Sequence, residues 1–225
     1  MAMGTTRISH GGNRLILLPE RAIYWASEQT LILADLHFGK SAEFRLRGIA
    51  VPEGDSLDSL NRVSALVRHH GCRRVLVLGD FFHGRAAVEE GLTRLFREWQ
   101  ERHPELEWIL VPGNHDRHVL GGPGLRGITL ADPVHEVGGL RFQHFPPEPG
   151  ETAPVLCGHL HPAVCLAEDS GPRLRLPCFF RRGGTLVLPA FGSFTGAARI
   201  DPEPGMEIWG VVEDRVLEIP FQACR

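Results

Sequence analysis

No stretch of the 225-residue sequence approaches the roughly 20 consecutive apolar residues that cross a bilayer. The start offers no basic region followed by a long apolar core, and Leu15-Ile16-Leu17-Leu18 stops at Pro19, too short for a signal peptide. The chain is expected to be soluble and cytoplasmic. Cysteine is sparse and odd in number. Cys72, Cys157, Cys165, Cys178 and Cys224 contain no C-x-x-C pair, which excludes a zinc ribbon and a disulfide framework and leaves reduced, mostly buried thiols. Lysine is almost missing: Lys40 is the only one among 24 basic residues. Excess positive charge is missing too, because 27 acidic residues bring the formal charge to -3. A protein that coats nucleic acid by bulk electrostatics is therefore excluded, and an anionic partner has to be met locally, by arginine forks. Histidine is the exception to this scarcity, with 12 copies.

The hydrophobic fraction of 43% and charged fraction of 23% describe a globular chain, and its length suits one domain spanning residues 1–225. Short apolar runs at Leu31 to Ala34, Val75 to Leu78, Trp108 to Val111, Val155 to Cys157 and Leu186 to Leu188 predict buried strands. Between the first two, Leu57, Leu60, Val63, Leu66 and Val67 recur at helical spacing, with Asp55 or Ser56 as a start cap and Gly71 at the end. Val88, Leu92, Leu95, Phe96 and Trp99 repeat the pattern before Pro104. Alternation of strand and helix predicts an α/β fold with parallel strands. Met206 to Val212 and Arg215 to Ile219 flank Glu213-Asp214 and predict a hairpin in a second, mixed sheet. Gly121 to Gly127 and Pro146 to Pro154 predict loops.

Polar residues of a narrow kind follow the first four core strands: Asp35-Leu36-His37, Gly79-Asp80, Gly113-Asn114-His115-Asp116 and Gly158-His159-Leu160-His161. Ligands of open α/β sheets bind at the carboxyl ends of strands, so these segments converge on one crevice. Carboxylate, amide and imidazole donors without thiolate suit a borderline divalent metal such as Mn, Fe, Zn or Co. The glycines before Asp80, Asn114 and His159 let backbone come close where a side chain would obstruct. Taken singly, each histidine is better explained as packing at a strand end and each aspartate as a turn or cap. Four such segments in order are not.

In this order the motifs resemble the calcineurin-like metallophosphoesterase superfamily over about Leu31 to His161. That resemblance implies a four-layer β-sandwich, two mixed sheets flanked by helices, and two divalent metals. It implies Asp35, His37, Asp80 and His161 as ligands of one, and Asp80, Asn114, His144 and His159 as ligands of the other, with Asp80 bridging. His144 closes the run Leu140 to Gln143, where period-2 alternation sends it coreward. His135 is its rival, and Phe145-Pro146 follows His144 where many relatives carry glycine. Two metals supply a hydroxide at neutral pH and neutralise phosphoryl oxygens during in-line displacement. His115, not needed as a ligand, is left to assist the leaving group, with Asp116 to hold its ring. His83, three residues after Asp80, either touches substrate or metal or orients a ligand. Arg117 is placed to reach a substrate phosphate. His10, His69, His70, His103 and His118 have no such context and are expected at the surface or at helix ends.

The substrate is less legible. Arg45-Leu46-Arg47, Arg73-Arg74, Arg173-Leu174-Arg175 and Arg181-Arg182 are each better explained as solvated faces. Phe179-Phe180 beside Arg181-Arg182 is either core or a base-stacking surface. Leu33 to Lys40, Gly79 to His83 and Leu188 to Gly196 resemble the bacterial PdeM-type phosphoesterases, ligase-associated endonucleases of the DNA damage response. That closer resemblance implies a DNA phosphodiester as substrate, manganese as activator (iron or zinc being alternatives), and a repair helicase and a DNA ligase as partners. A phosphoesterase acting on a small nucleotide-like molecule and a non-catalytic binding module are the other readings.

Overall fold

The computed structural model describes residues 4–51, 54–84, 90–118, 126–148, 150–166 and 174–223. Alternation inside the apolar runs decides the layers. The first sheet takes β1 (Thr6–His10), β2 (Asn13–Leu18), β3 (Ala22–Trp25), β4 (Thr30–Leu33), β5 (Arg74–Leu78), β6 (Glu107–Val111) and β7 (Ile128–Leu130) in that spatial order. β1 to β4 form an antiparallel meander, and β4 to β7 run parallel. Leu31, Leu33, Val75, Val77, Trp108 and Leu110 point to one face, where they pack against α2 (Asp55–His70) and α3 (Glu90–Glu101) through Leu60, Val63, Phe96 and Trp99. α1 (Lys40–Leu46) precedes them in the chain. The intervening Ile32, Ala34, Leu76, Leu78, Ile109 and Val111 point the other way, onto the second sheet. Strands buried on both faces have to be apolar throughout, which is why they read as continuous runs.

The second sheet holds β8 (Val134–Val137), β9 (Leu140–Gln143), β10 (Val155–Cys157), β11 (Pro162–Leu166), β12 (Leu174–Arg182), β13 (Thr185–Val187), β14 (Ala198–Arg199), β15 (Glu207–Val212) and β16 (Arg215–Glu218). It is mixed: β9, β10 and β13 run parallel, whereas β12 meets β11, β13 and β15 antiparallel. Phe142, Leu156, Phe179, Leu186 and Trp209 fill the space between the sheets. The outer face of the second sheet closes over Val155, Val164, Cys178 and Ile208. The expected strands lie within one residue of those observed, and β15 and β16 form the expected hairpin.

Several local expectations change. The α2 cap is Gly54 in the left-handed region, with no side-chain cap. Asp55 instead accepts the Ser41 hydroxyl, and Ser56 accepts the Gly39 N–H. Gly71 ends the helix as expected, at φ 65°. Leu57 is 40% exposed, off the packed face. Phe179 and Phe180 are buried, while Arg181 pairs with Glu207 and Arg182 with Glu203. The two rings are therefore core, and the two arginines are tied to glutamates of the same region. Cys72, Cys157 and Cys165 are free thiols. Val88, Arg173, Cys224 and most of the 121–127 loop lie outside the described residues. No helix among the described residues is long and apolar enough to cross a membrane.

Candidate metal centre

The centre lies where the carboxyl ends of β4, β5 and β6 face the ends of β9 and β10. Asp35, His37, Asp80, His159 and His161 all adopt positive φ, between 45° and 68°, which makes five of the eight described non-glycine residues in that region. Each such residue costs about 1–3 kcal/mol and persists only where surrounding bonds impose it. Those bonds are present. His37 N donates to Asp80 O at 2.9 Å, Phe38 N to Phe81 O at 2.8 Å and His83 N to Phe38 O at 2.9 Å, so the loops after β4 and β5 are tied backbone to backbone. Three glycines leave room. A Cβ at Gly79 would lie 2.2 Å from His144 Nδ1, one at Gly113 2.3 Å from Asp80 Oδ1, and one at Gly158 2.6 Å from Asp35 Oδ2.

Both aspartates divide their oxygens in the same way. Asp80 Oδ1 accepts the His115 N–H at 2.9 Å, leaving Oδ2 3.8 Å from His37 Nε2 and 3.6 Å from His144 Nε2. Asp35 Oδ2 accepts the His159 N–H at 2.9 Å, and Oδ1 faces His161 Nε2 at 3.4 Å. Among the described residues three clusters have ligand atoms within 4.8 Å of one another: Asp35, His37 and His161 form the first, Asp80, His144 and His159 the second, and His37 is shared with a third that adds His83 and His115. Asn114 joins the second, its Oδ1 3.0 Å from His144 Nε2.

The hydrogen positions follow from the partners. His144 Nδ1 faces the Leu78 carbonyl at 3.0 Å and His161 Nδ1 the Thr195 carbonyl at 3.3 Å. A carbonyl only accepts, so Nδ1 carries a hydrogen and each ring turns Nε2 inward. His161 Nε2 meets His37 Nε2 at 3.3 Å, and His144 Nε2 lies 3.0 Å from Asn114 Oδ1 and 3.1 Å from His159 Nδ1, so the inward nitrogens of several rings crowd together. Asp35 Oδ1 is buried with no hydrogen-bond partner. Converging imidazole nitrogens beside an orphaned carboxylate oxygen are what a cation satisfies, so these donors fit the divalent metals the motifs imply.

Burial, reinforced by the Lys40 ammonium, pushes His37 down to about 2 and His83 down to about 4, and burial lowers His159 as well. Neutral imidazole is the ligating form. Burial pushes Asp116 up to about 6, against the pull of two backbone N–H groups.

Asp35, His37, Asp80, Asn114, His144, His159 and His161 are thus brought together, with His115 at their edge. His135 is not: it lies on β8, its ring centroid 6.3 Å from that of Phe142. Asp116 is a correction. Its oxygens accept Gly113 N at 2.9 Å and Phe82 N at 3.1 Å, so it staples two loops. The His115 ring is held by another group, the His83 carbonyl, 2.7 Å from Nδ1. His83 stands beside His37 and His115, which agrees with the ligand-orienting role among those expected of it. Its Nδ1 lies 3.2 Å from His37 Nδ1 and its Nε2 3.7 Å from Glu43 Oε2, behind the ligand. Sequence spacing concealed Glu43 and Thr195, which act through other residues' partners and carry no motif. Arg117 is exposed and lines a cavity beside Gly113 and His144. His10 is buried rather than superficial, its Nε2 3.2 Å from Val155 O.

Residues 29–161 match the family model described as calcineurin-like phosphoesterase. No curated protein matches the chain. Among solved structures, the chain is similar to the nuclease MPE of Pseudomonas putida at 35% identity and a TM-score of 0.82, over 96% of this chain and 100% of that one. The phosphoesterase Yfce of E. coli aligns at 16% identity and a TM-score of 0.45, over 87% of this chain and 99% of that one.

Proposed function

The chain belongs to the calcineurin-like phosphoesterase family, and from that premise we propose that it hydrolyses phosphodiester bonds of DNA with two divalent cations, manganese foremost. One cation is assigned to Asp35, His37, Asp80 and His161, the other to Asp80, Asn114, His144 and His159, with Asp80 shared. The observation that carries this assignment is the gathering of imidazole nitrogens and carboxylate oxygens within 4.8 Å of one another, beside a buried Asp35 Oδ1 that has no hydrogen-bond partner. When bound, such a pair of cations makes hydroxide available near neutral pH and neutralises phosphoryl charge.

The chain's own residues do the rest. Gly79, Gly113 and Gly158 let the ligands close in, and Asp116 fixes the loop that carries Asn114 and His115. His115 Nδ1–H is committed to the His83 carbonyl, so the proton of its imidazolium that faces the centre is on Nε2, 4.0 Å from Asp80 Oδ2. As the new P–O bond forms and the old one breaks, that proton passes to the departing oxygen. Arg117 meets a neighbouring phosphate of the strand. DNA as substrate is supported by similarity to a nuclease along nearly the whole chain. The motif resemblance extends this to repair in the cytoplasm, beside a helicase and a ligase.

The test compares bis(4-nitrophenyl) phosphate, 4-nitrophenyl phosphate, and single- and double-stranded DNA with manganese. Hydrolysis of the diester and of DNA is expected. Activity confined to the monoester would overturn the proposal in favour of a small-molecule phosphatase.

A further inference from the structure

Phe145 is 41% exposed, yet its ring centroid lies 4.7 Å from that of His144 and 4.6 Å from that of His159. The phenyl ring meets the two imidazoles at steep interplanar angles, 75° and 60°, and much of it stays open to solvent. Its backbone is fixed, since Gln143 Nε2 donates to Phe145 O at 2.6 Å. The ring lines a cavity of about 350 Å³ with Pro112, Pro133, Val134, Gln143 and Arg117, and this cavity also reaches His144 and Gly113. A metal site needs no apolar rim to hold its ions. A site acting on a bare phosphate group gains nothing from flat apolar walls.

We infer that this cavity is a nucleoside subsite, in which the base next to the scissile phosphate stacks on Phe145 and the adjoining backbone phosphate meets Arg117. The inference rests on the diesterase reading above and specifies what that site grips. Its volume is at the small end of ligand pockets, adequate for one nucleoside. Every base has a π face, so stacking on a single ring confers affinity without sequence preference. The guanidinium supplies the one positive charge among the lining residues, as a chain that carries -3 overall and meets its anion locally requires.

Two diesters with the same leaving group test this: thymidine 5′-(4-nitrophenyl phosphate), which brings a base, and methyl 4-nitrophenyl phosphate, which does not. Phe145→Leu is expected to lower the ratio of kcat/KM for the thymidine ester over the methyl ester about tenfold, the loss of one base stack. The change should reside in KM, and Phe145→Tyr should keep the wild-type ratio. Fluorescence anisotropy of labelled oligo(dT) in EDTA should show a similar weakening for Phe145→Leu. A fall of both esters together would show that the ring only supports its histidines, and an unmoved ratio would show that no base stacks there. Either result overturns the subsite and leaves the diesterase reading standing. A wild type that cleaves the 4-nitrophenyl monoester and neither diester overturns that reading, and the subsite with it.

Discussion

One carboxylate oxygen of Asp35 accepts the backbone N–H of His159 at 2.9 Å, while the other, Oδ1, is buried without a hydrogen-bond partner 3.4 Å from His161 Nε2. An unsatisfied buried acceptor costs about 1–3 kcal/mol, so without metal this arrangement works against the fold. Asp35→Asn places an amide N–H2 there, which donates to His161. The metal-free variant is expected to melt at or above the wild type by about a few degrees, while the stabilisation on adding manganese shrinks sharply. Melting curves with and without manganese check this, and a metal-free variant melting well below the wild type would contradict it.

His115 and Asp80 separate chemistry from metal binding. His115→Ala removes a side chain 36% exposed at the edge of the centre and is expected to retain both metals while losing about 10²- to 10⁴-fold in kcat. Asp80→Ala removes the carboxylate proposed to serve both cations and is expected to lose metal as well as turnover. Elemental analysis beside steady-state kinetics distinguishes the two; full metal with near-normal turnover in His115→Ala would reject its assignment.

The Glu43, His83 and His37 side chains form a relay, with His37 Nδ1 3.2 Å from His83 Nδ1 and His83 Nε2 3.7 Å from Glu43 Oε2. With Nε2 of His37 committed to a metal, its Nδ1–H would donate to His83 and so fix the ring. His83→Ala is expected to weaken metal affinity about 10- to 100-fold, as loss of a supporting partner typically does. His83→Gln keeps an acceptor and should recover part of it. Titration of the metal-free variants gives the affinities, and an unchanged value for His83→Ala would remove the relay from the centre.

His10 reports pH from outside the centre. Burial holds its imidazole below the ordinary 6.5, while its hydrogen bond to Val155 O opposes the shift more weakly. As pH falls below about 6.5 the unfolded chain takes up a proton that the fold refuses, so stability present above that pH is lost as pH drops toward the lower folded value. His10→Gln keeps a donor for Val155 and removes the titration. Its melting temperature is expected to fall less than the wild type's between about pH 7 and pH 5, and equal slopes would show that His10 makes no contribution.

The central strands and both long helices are legible in the sequence because burial on two faces demands unbroken apolar runs and burial on one face demands helical spacing. Gly71 is legible because only a residue without Cβ enters the left-handed region cheaply. The β1 to β3 meander is harder to see, since β1 alternates half-buried and exposed positions and supplies no apolar run. The residue types of the centre, two carboxylates, an amide and several imidazoles behind strands, are likewise determined by the sequence alone, because their chemistry is local. Which partner each atom takes is not local. Asp116 reads as a brace for the adjacent histidine, yet the fold brings Gly113 N and Phe82 N to its oxygens and hands His115 to a carbonyl 32 positions earlier in the chain. By sequence Phe179 and Phe180 are either core or a binding surface, and the second sheet makes them core, whereas Phe145, with no motif of its own, is left half open over the centre. Hydrogen-bond direction, burial and the orphaning of Asp35 Oδ1 depend on groups from distant strands meeting in space, and only the tertiary structure decides them.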